Sequence, residues 1–417
     1  MTGTKAPLWV TLVLCLLAPA TAGAQDATSV STSDSTWQTE TADSDTAFGF
    51  QEFTDTNTNH EPPPVNNAVR YSPYVHYNRV DQWAIGAQMA YEPVEGWYPR
   101  FFTRLAYTFN RDHRGLYEME VAQPVLPGRR LLLGVESRRF TDTEDDWRVG
   151  TMENLLSAFF FHYDYKDWYE TSGHIFYAEG YPWKAVEVKV AYDALEIVSI
   201  PNTAPGSRSV FRRDAEWRAN PAVVEGDDRS VRGDIVWDRR DDPAAPRRGG
   251  WMRAGVWTTG PNLKSDFTFT RYDAELRGYL PLAPAMRLKA RVWAGTTGAG
   301  TLSTREEFAV GGISTLRAHP YKTRRGDHVF LANAEYGVQV WRGRQRTSIK
   351  SNVWLLAFSD FGQAWDGPSY DLAHQPILWD GGLGLAVSDN RIQLFAAHDM
   401  HDSHAGMVWT LRLASPF

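Results

Sequence analysis

The 417-residue sequence predicts an all-β protein, a transmembrane antiparallel β-barrel of about 16 strands with an inward-folded long loop. Three observations lead there. Side chains alternate with a period of two so that one face is charged and the other apolar. The number of such segments is even. The long connections all follow odd-numbered segments.

The chain begins with an export signal by pattern. Lys5 precedes an apolar stretch over 8–17, and Ala22-Gly23-Ala24 supplies a small-residue cleavage site. Leu14, before Cys15, is too large for lipoprotein processing, so cleavage is expected near Ala24/Gln25, giving a signal peptide of 1–24. The mature chain then has no cysteine, so its stability comes from burial or lipid and not from disulfide staples. The longest largely apolar run beyond the signal, 155–161, is far short of the roughly 20 residues of a membrane-spanning helix.

Charge divides the rest. Residues 25–64 hold eight carboxylates and no Lys or Arg, among Ser, Thr and Asn, and end in Pro62-Pro63-Pro64. That composition reads as an acidic disordered leader. Residues 65–417 are balanced and read as one barrel domain, with nothing in their charge to attract nucleic acid.

The alternation is plainest over 270–280, where Arg271, Asp273, Glu275 and Arg277 share one face and Tyr272, Ala274 and Leu276 the other. Arg287, Lys289 and Arg291 alternate with Leu288, Ala290 and Val292 in the same way, as do Glu187 and Lys189 with Val186, Val188 and Val190. Successive strand side chains point to opposite faces, so these are strands. A soluble sandwich gives one polar and one apolar face as well. Number and connections separate the two readings.

Eleven segments fall between 67 and 297 and five between 327 and 417, sixteen in all. The four longest connections, 141–169, 196–228, 298–326 and 362–378, all follow odd-numbered strands and so lie at one end. Bacterial barrels have even strand numbers, short periplasmic turns and longer outer loops. Lipid also demands closure, because each unpaired backbone N–H or C=O in hydrocarbon costs several kcal/mol. The apolar faces then meet outer-membrane lipid, the ionic faces line the lumen, and 17 Trp, 18 Tyr and 20 Phe supply interface belts. Met407, Trp409, Leu411 and Leu413 alternate toward terminal Phe417 in the same sense.

Two motifs carry a resemblance. Residues 238–251, DRRDDPAAPRRGGW, contain Asp238, Arg240, Asp241, Pro243 and Pro246; a tight turn alone would select such residues. Residues 308–335, FAVGGISTLRAHPYKTRRGDHVFLANAE, contain Gly311, Gly312, Leu316, Arg317 and Tyr321 and end at Glu335; downstream lie Phe358-Ser359-Asp360-Phe361-Gly362 and the glycines Gly382 and Gly384. Together these resemble the bacterial surface antigen superfamily, the BamA/TamA type of outer-membrane barrel, over roughly 80–417. Ala318 stands where the family has Gly, and His319-Pro320 where it has Phe or Tyr, so either the loop tip bends differently or Tyr321 supplies the aromatic.

The resemblance implies that the long loop folds into the lumen and that Arg317 reaches Asp360 and Glu335 on the inner wall, near Gly362. It implies a form lacking periplasmic POTRA domains, since only the acidic leader occupies their place. It further implies a role in assembly or transport of outer-membrane proteins or lipids, with a weak seam between the first and last strands; Pro73 suits such an edge. The partners expected are lipid and client barrels, or a periplasmic lipoprotein docked on the leader.

Other classes were weighed on their own residues. No G-x-S-x-G, H-E-x-x-H or phosphate-binding loop is present, so no enzyme and no cofactor is expected. The run His398-Asp399-Met400-His401-Asp402-Ser403-His404 could hold a transition metal, yet reads more readily as a solvated hairpin end, since nothing signals a helix to point His398 and His401 one way, and no metal ligand is assigned. Glu153 to Phe161 suits a short amphipathic turn packed on the rim or in the lipid interface. A passive channel, with Arg271, Asp273, Arg287, Lys289 and Arg291 setting selectivity, is the alternative function; an accessory subunit is a third.

Overall fold

A computed structural model describes residues 68–93, 97–109, 114–202, 211, 216–243, 245–343, 352–387 and 392–413. The signal at 1–24, the leader at 25–64, the domain boundary at 65 and terminal Phe417 lie outside the described residues.

Sixteen strands form one antiparallel sheet in which almost every strand pairs with its neighbours in sequence. They are β1 (Ala68–Asn78), β2 (Gln82–Glu92), β3 (Arg100–Thr108), β4 (Gly115–Pro124), β5 (Leu131–Asp142), β6 (Tyr169–Trp183), β7 (Val186–Ser199) and β8 (Gly226–Asp238). There follow β9 (Gly249–Thr259), β10 (Phe269–Ala283), β11 (Met286–Gly300), β14 (His328–Arg342), β15 (Asn352–Trp365), β16 (Leu378–Val387), β17 (Ile392–Asp399) and β18 (Val408–Arg412). Between β11 and β14 the chain makes a separate small hairpin, β12 (Phe308–Val310) with β13 (Arg324–Gly326). One helix, α1 (Thr151–Phe161), lies in the β5–β6 connection. Among the described residues no helix is long and apolar enough to cross a membrane.

Residues paired across a ladder share a face, so register traces that face strand by strand. Ser72 pairs with Gln88, Gln88 with Arg104, Arg104 with Glu118 and Glu118 with Arg138. Farther along, Glu275 pairs with Trp293 and Trp293 with Leu331, and the row Asn333, Asp360, Asp380, Asp399 crosses β14 to β17. Gln393, on the same face, brings in Arg412 of β18. This ionic face is covered: Arg104–Glu118 (3.0 Å), Arg253–Asp273 (2.7 Å) and Arg291–Glu275 (2.6 Å) are ion pairs on it. The opposite face exposes Val75, Ile85, Leu105, Tyr272, Leu276, Leu355 and Leu383. A sheet with its charges shielded and its aliphatic side chains bare is the reverse of a soluble sheet, and suits contact with hydrocarbon.

The sheet rolls so that its ionic face is the inner one. Arg148, from the β5–β6 connection, donates to the carbonyl of Ala309 in β12 (2.6 Å), and Arg412 of β18 bonds Glu153 of α1 (2.8 Å). The 301–327 segment therefore lies against the inner wall as a lid.

Candidate functional site at the lid and inner wall

The lid turns back on itself through Gly311 (φ 119°) and Gly312 (φ 78°), where a Cβ would fall 2.4 Å from the Pro320 carbonyl oxygen and 2.8 Å from Tyr321 Cα. Only glycine takes that backbone at that separation. The reversal is closed by Gly312 N–H to the Leu316 carbonyl (2.8 Å), while Leu316 itself is fully buried in the largest apolar cluster. Arg317 is thereby aimed at the wall.

Its guanidinium forks onto Asp360 of β15, Nε to Oδ2 at 2.8 Å and Nη2 to Oδ1 at 2.9 Å, with Nη1 3.7 Å from Glu335 of β14. Asn333 donates to the same Asp360 carboxylate (2.9 Å) and to the Thr315 carbonyl (2.8 Å), so wall and lid share one amide. Glu335 is also held by Lys289 of β11 at 3.5 Å. Arg317 lies over Phe358 (3.7 Å) and Phe395 (4.6 Å), rings set edge to face. The glycines of β16 make that floor possible: a Cβ on Gly382 would fall 2.6 Å from Phe358 and one on Gly384 2.6 Å from Phe395. A planar cation with a bidentate carboxylate on its edge and aromatic rings on its face is the setting Arg fills and Lys does not.

The next two residues continue along the wall. The Ala318 N–H donates to Asp380 Oδ2 of β16 (2.7 Å); His319 Nδ1 bonds Asp380 Oδ1 (2.7 Å), and its Nε2 lies 3.4 Å from Asp399 of β17. Three consecutive lid residues thus meet three consecutive strands. The hydrogen bond to Asp380, with the charges of Asp380 and Asp399, raises the His319 pKa above its ordinary 6.5 despite burial and the nearby Arg324. The three side chains bring ligand atoms within 4.8 Å of one another. Asp380 approaches Nδ1 and Asp399 approaches Nε2, an arrangement that suits a protonated imidazolium with an N–H toward each carboxylate.

Other sequence-selected residues lie elsewhere. Tyr321 is 6.1 Å from Tyr165 and under the guanidinium of Arg218 (4.9 Å), away from the Arg317 floor, so the aromatic on the Arg317 side comes from Phe358 and Phe395 instead. Gly362 pairs with Leu331, where a Cβ would meet the Leu331 side chain at 3.0 Å, and does not touch Arg317's fork. In the β8–β9 turn Arg240 is bidentate to Asp238 (2.7 Å to Oδ2) and donates to the Pro243 carbonyl (3.2 Å), while Asp241 accepts from the N–H groups of Arg247 and Arg248. Pro246 is buried in the same turn. This motif is a turn lock at the opposite end from the lid. Of the His398–His404 run, Asp399 alone reaches the lid cluster.

A second knot fastens the lid to the other loops. Asp167 receives Lys322 (2.7 Å), Arg218 (2.6 Å), Arg79 (3.2 Å) and Arg325 (3.1 Å). Burial alone would push its carboxyl up; Lys322, Arg218 and Arg79 outweigh burial and hold it below the ordinary carboxylate range. Nothing in the sequence pattern singled these residues out, because their connections lack a period.

Residues 208–389 match the model of the Omp85 superfamily domain. The chain carries an Omp85 superfamily domain. The matched segment runs through β8 to β16 and contains the whole lid and the Asp360 wall. Similar solved structures include BamA from Haemophilus ducreyi lacking POTRA domains 1-3, with a TM-score of 0.57 at 11% identity, covering 83% of this chain and 69% of that one. CdiB from Escherichia coli has a TM-score of 0.46 at 11% identity, over 83% of this chain and 62% of its own. CdiB from Acinetobacter baumannii has 0.42 at 9%, over 82% and 57%. At these identities the likeness to BamA is one of fold. No curated protein sequence matches the chain. With the Omp85 domain and a sixteen-stranded antiparallel sheet whose apolar face is bare, this is a bacterial outer-membrane β-barrel protein.

Proposed function

We propose that this Omp85 barrel serves the assembly or transport of outer-membrane proteins or lipids, with the lid braced across the lumen by Arg317. The supporting observation is the Arg317–Asp360 fork at the crossing of lid and wall. The edges of the sheet favour it too: among the described residues β1 pairs only with β2, and β18 only with β17. A seam of that kind is where a client strand or a lipid would enter.

The channel alternative needs lumenal charges free to act on solutes. Those charges are engaged: Asp273 with Arg253, Lys289 with Glu335, Arg291 with Glu275, Arg271 with the Glu306 carbonyl of the lid (2.8 Å), and Arg287 over the Trp354 ring (4.0 Å). Conductance of the purified protein in planar bilayers tests the choice. The braced-lid reading expects a closed barrel that Arg317→Ala opens or destabilises; steady ohmic pores indifferent to that substitution would establish the channel instead. Co-purification with and without residues 25–64 tests whether the leader recruits an envelope partner.

A further inference from the structure

Helix α1 has neighbours on both faces of the sheet. Glu153, in its first turn, bonds Arg412 of β18 (2.8 Å) and accepts from the Leu413 N–H (3.2 Å). Arg412 points inward, since it pairs with Gln393 on the Asp399 face, and it also donates to Ser314 of the lid (2.6 Å) and to the Arg148 carbonyl (3.1 Å). Two turns later Phe159 packs on Tyr77 (5.4 Å) and Trp83 (5.3 Å). Those two are outward residues: Tyr77 pairs with Trp83, in phase with exposed Val75 and Ile85. Leu155 and Ala158 complete the cluster around Tyr77, with Trp217 against its other side.

The helix begins among inner-face groups of the last strand and ends on outer-face groups of the first. The geometry points to α1 as a stopper lodged in the gap between β18 and β1, with its aromatic end turned to the hydrocarbon of the surrounding membrane. Its polar side chains Glu153 and Asn154 are buried while Met152 is exposed and Leu156, Phe159, Phe160 and Phe161 are only partly covered. That inverts the pattern of a helix in water. Phe160 stacks with exposed Phe211 (5.7 Å) and Phe161 lies tilted against it (5.4 Å), and the outer apolar face continues from Tyr77 and Trp83 to Tyr107 and Phe109. Continuity with the lipid-facing sheet, and the absence of any charged side chain from 155 to 161, identify acyl chains as the occupant.

A nitroxide at Phe161→Cys, in a Cys15→Ser background and in phospholipid vesicles, tests the placement through its access to oxygen and to a water-soluble nickel chelate. Reference labels at Ile85→Cys and Lys264→Cys report the outer wall and an exposed loop. We expect Phe161 to match Ile85, with high oxygen and low nickel access. Nickel access like that of Lys264 overturns the proposal, as does low access to both reagents, which would place a protein partner there. The stopper role is read from conductance: Phe159→Ala/Phe160→Ala/Phe161→Ala, checked for folding by heat-modifiable migration, should show channel openings that the closed wild type lacks. Unchanged conductance in a folded variant overturns that role, and the Phe161 label alone decides the placement should the triple variant not fold.

Discussion

The guanidinium of Arg317 straddles the carboxylate of Asp360, with Nε 2.8 Å from Oδ2 and Nη2 2.9 Å from Oδ1, while Phe358 lies 3.7 Å beneath it. The pair joins the lid to the wall where water does not reach either partner. Its worth is best judged by what remains after one partner is removed.

Arg317→Ala leaves Asp360 without its cation and Glu335 with Lys289 alone, a loss of about 3–5 kcal/mol by the usual cost of orphaning a buried charge. Arg317→Lys keeps the charge and loses the fork, so it should fall between wild type and Ala. Urea titrations followed by heat-modifiable migration read both. Identical midpoints for wild type and Arg317→Ala would remove the brace from the account.

His319 should make the lid pH-sensitive. Its pKa is raised in the folded protein, chiefly by the bond to Asp380 and then by the Asp380 and Asp399 charges, against burial and Arg324. A raised value means that its contribution is complete below the ordinary pKa of 6.5 and fades as pH rises through the raised one. Hydrogen exchange across 313–322, corrected for intrinsic rates, should quicken over that window in wild type. His319→Gln should be flat across it; a wild-type profile equally flat counts against the clamp.

Asp167→Asn removes the charge that four cations share. Lys322, Arg218, Arg79 and Arg325 come from the lid, the β7–β8 connection and the end of the β1 hairpin, so all should loosen together. Limited proteolysis is expected to cut 143–168, 216–225 and 301–327 faster by a similar factor. Acceleration of one segment alone would mean that the knot is not shared.

Gly382→Val and Gly384→Val each place methyl groups where Phe358 and Phe395 lie, and displacing either ring removes part of the floor under Arg317. Overpacking of this kind costs about 1–3 kcal/mol. Thermal melts should fall for both, and Gly278→Val, at a strand position where a Cβ meets nothing within 4 Å, is the control.

The sixteen wall strands are legible because a rolled sheet imposes a strict period of two on charge and hydropathy, and nothing else in the chain has that period. β1 to β18 differ from the sequence reading mainly at strand ends, as where β6 runs to Trp183 and β18 is confined to Val408–Arg412. Arg317, Glu335 and Asp360 could be singled out by motif, since each occupies a matching position. Asp380 and His319 could not: the motif has an aromatic at the histidine position and so offers it no acidic partner. The contacts of α1 were hidden for another reason. Alternation says which way a strand faces, but not where its rolled edges arrive, and Glu153 meets Arg412 only because 259 residues of sheet have come round.

Among the described residues the two margins of the sheet are matched over different lengths. β1 is matched to β2 at eleven positions, whereas β18 is matched to β17 at five among the described residues. Under tension a ribbon parts first at a margin held from one side, so mechanical extraction from a bilayer by the C-terminus should begin with β18, before the β10–β11 hairpin, held by neighbours on both sides, yields. The strand that anchors Glu153 is the one most readily peeled away.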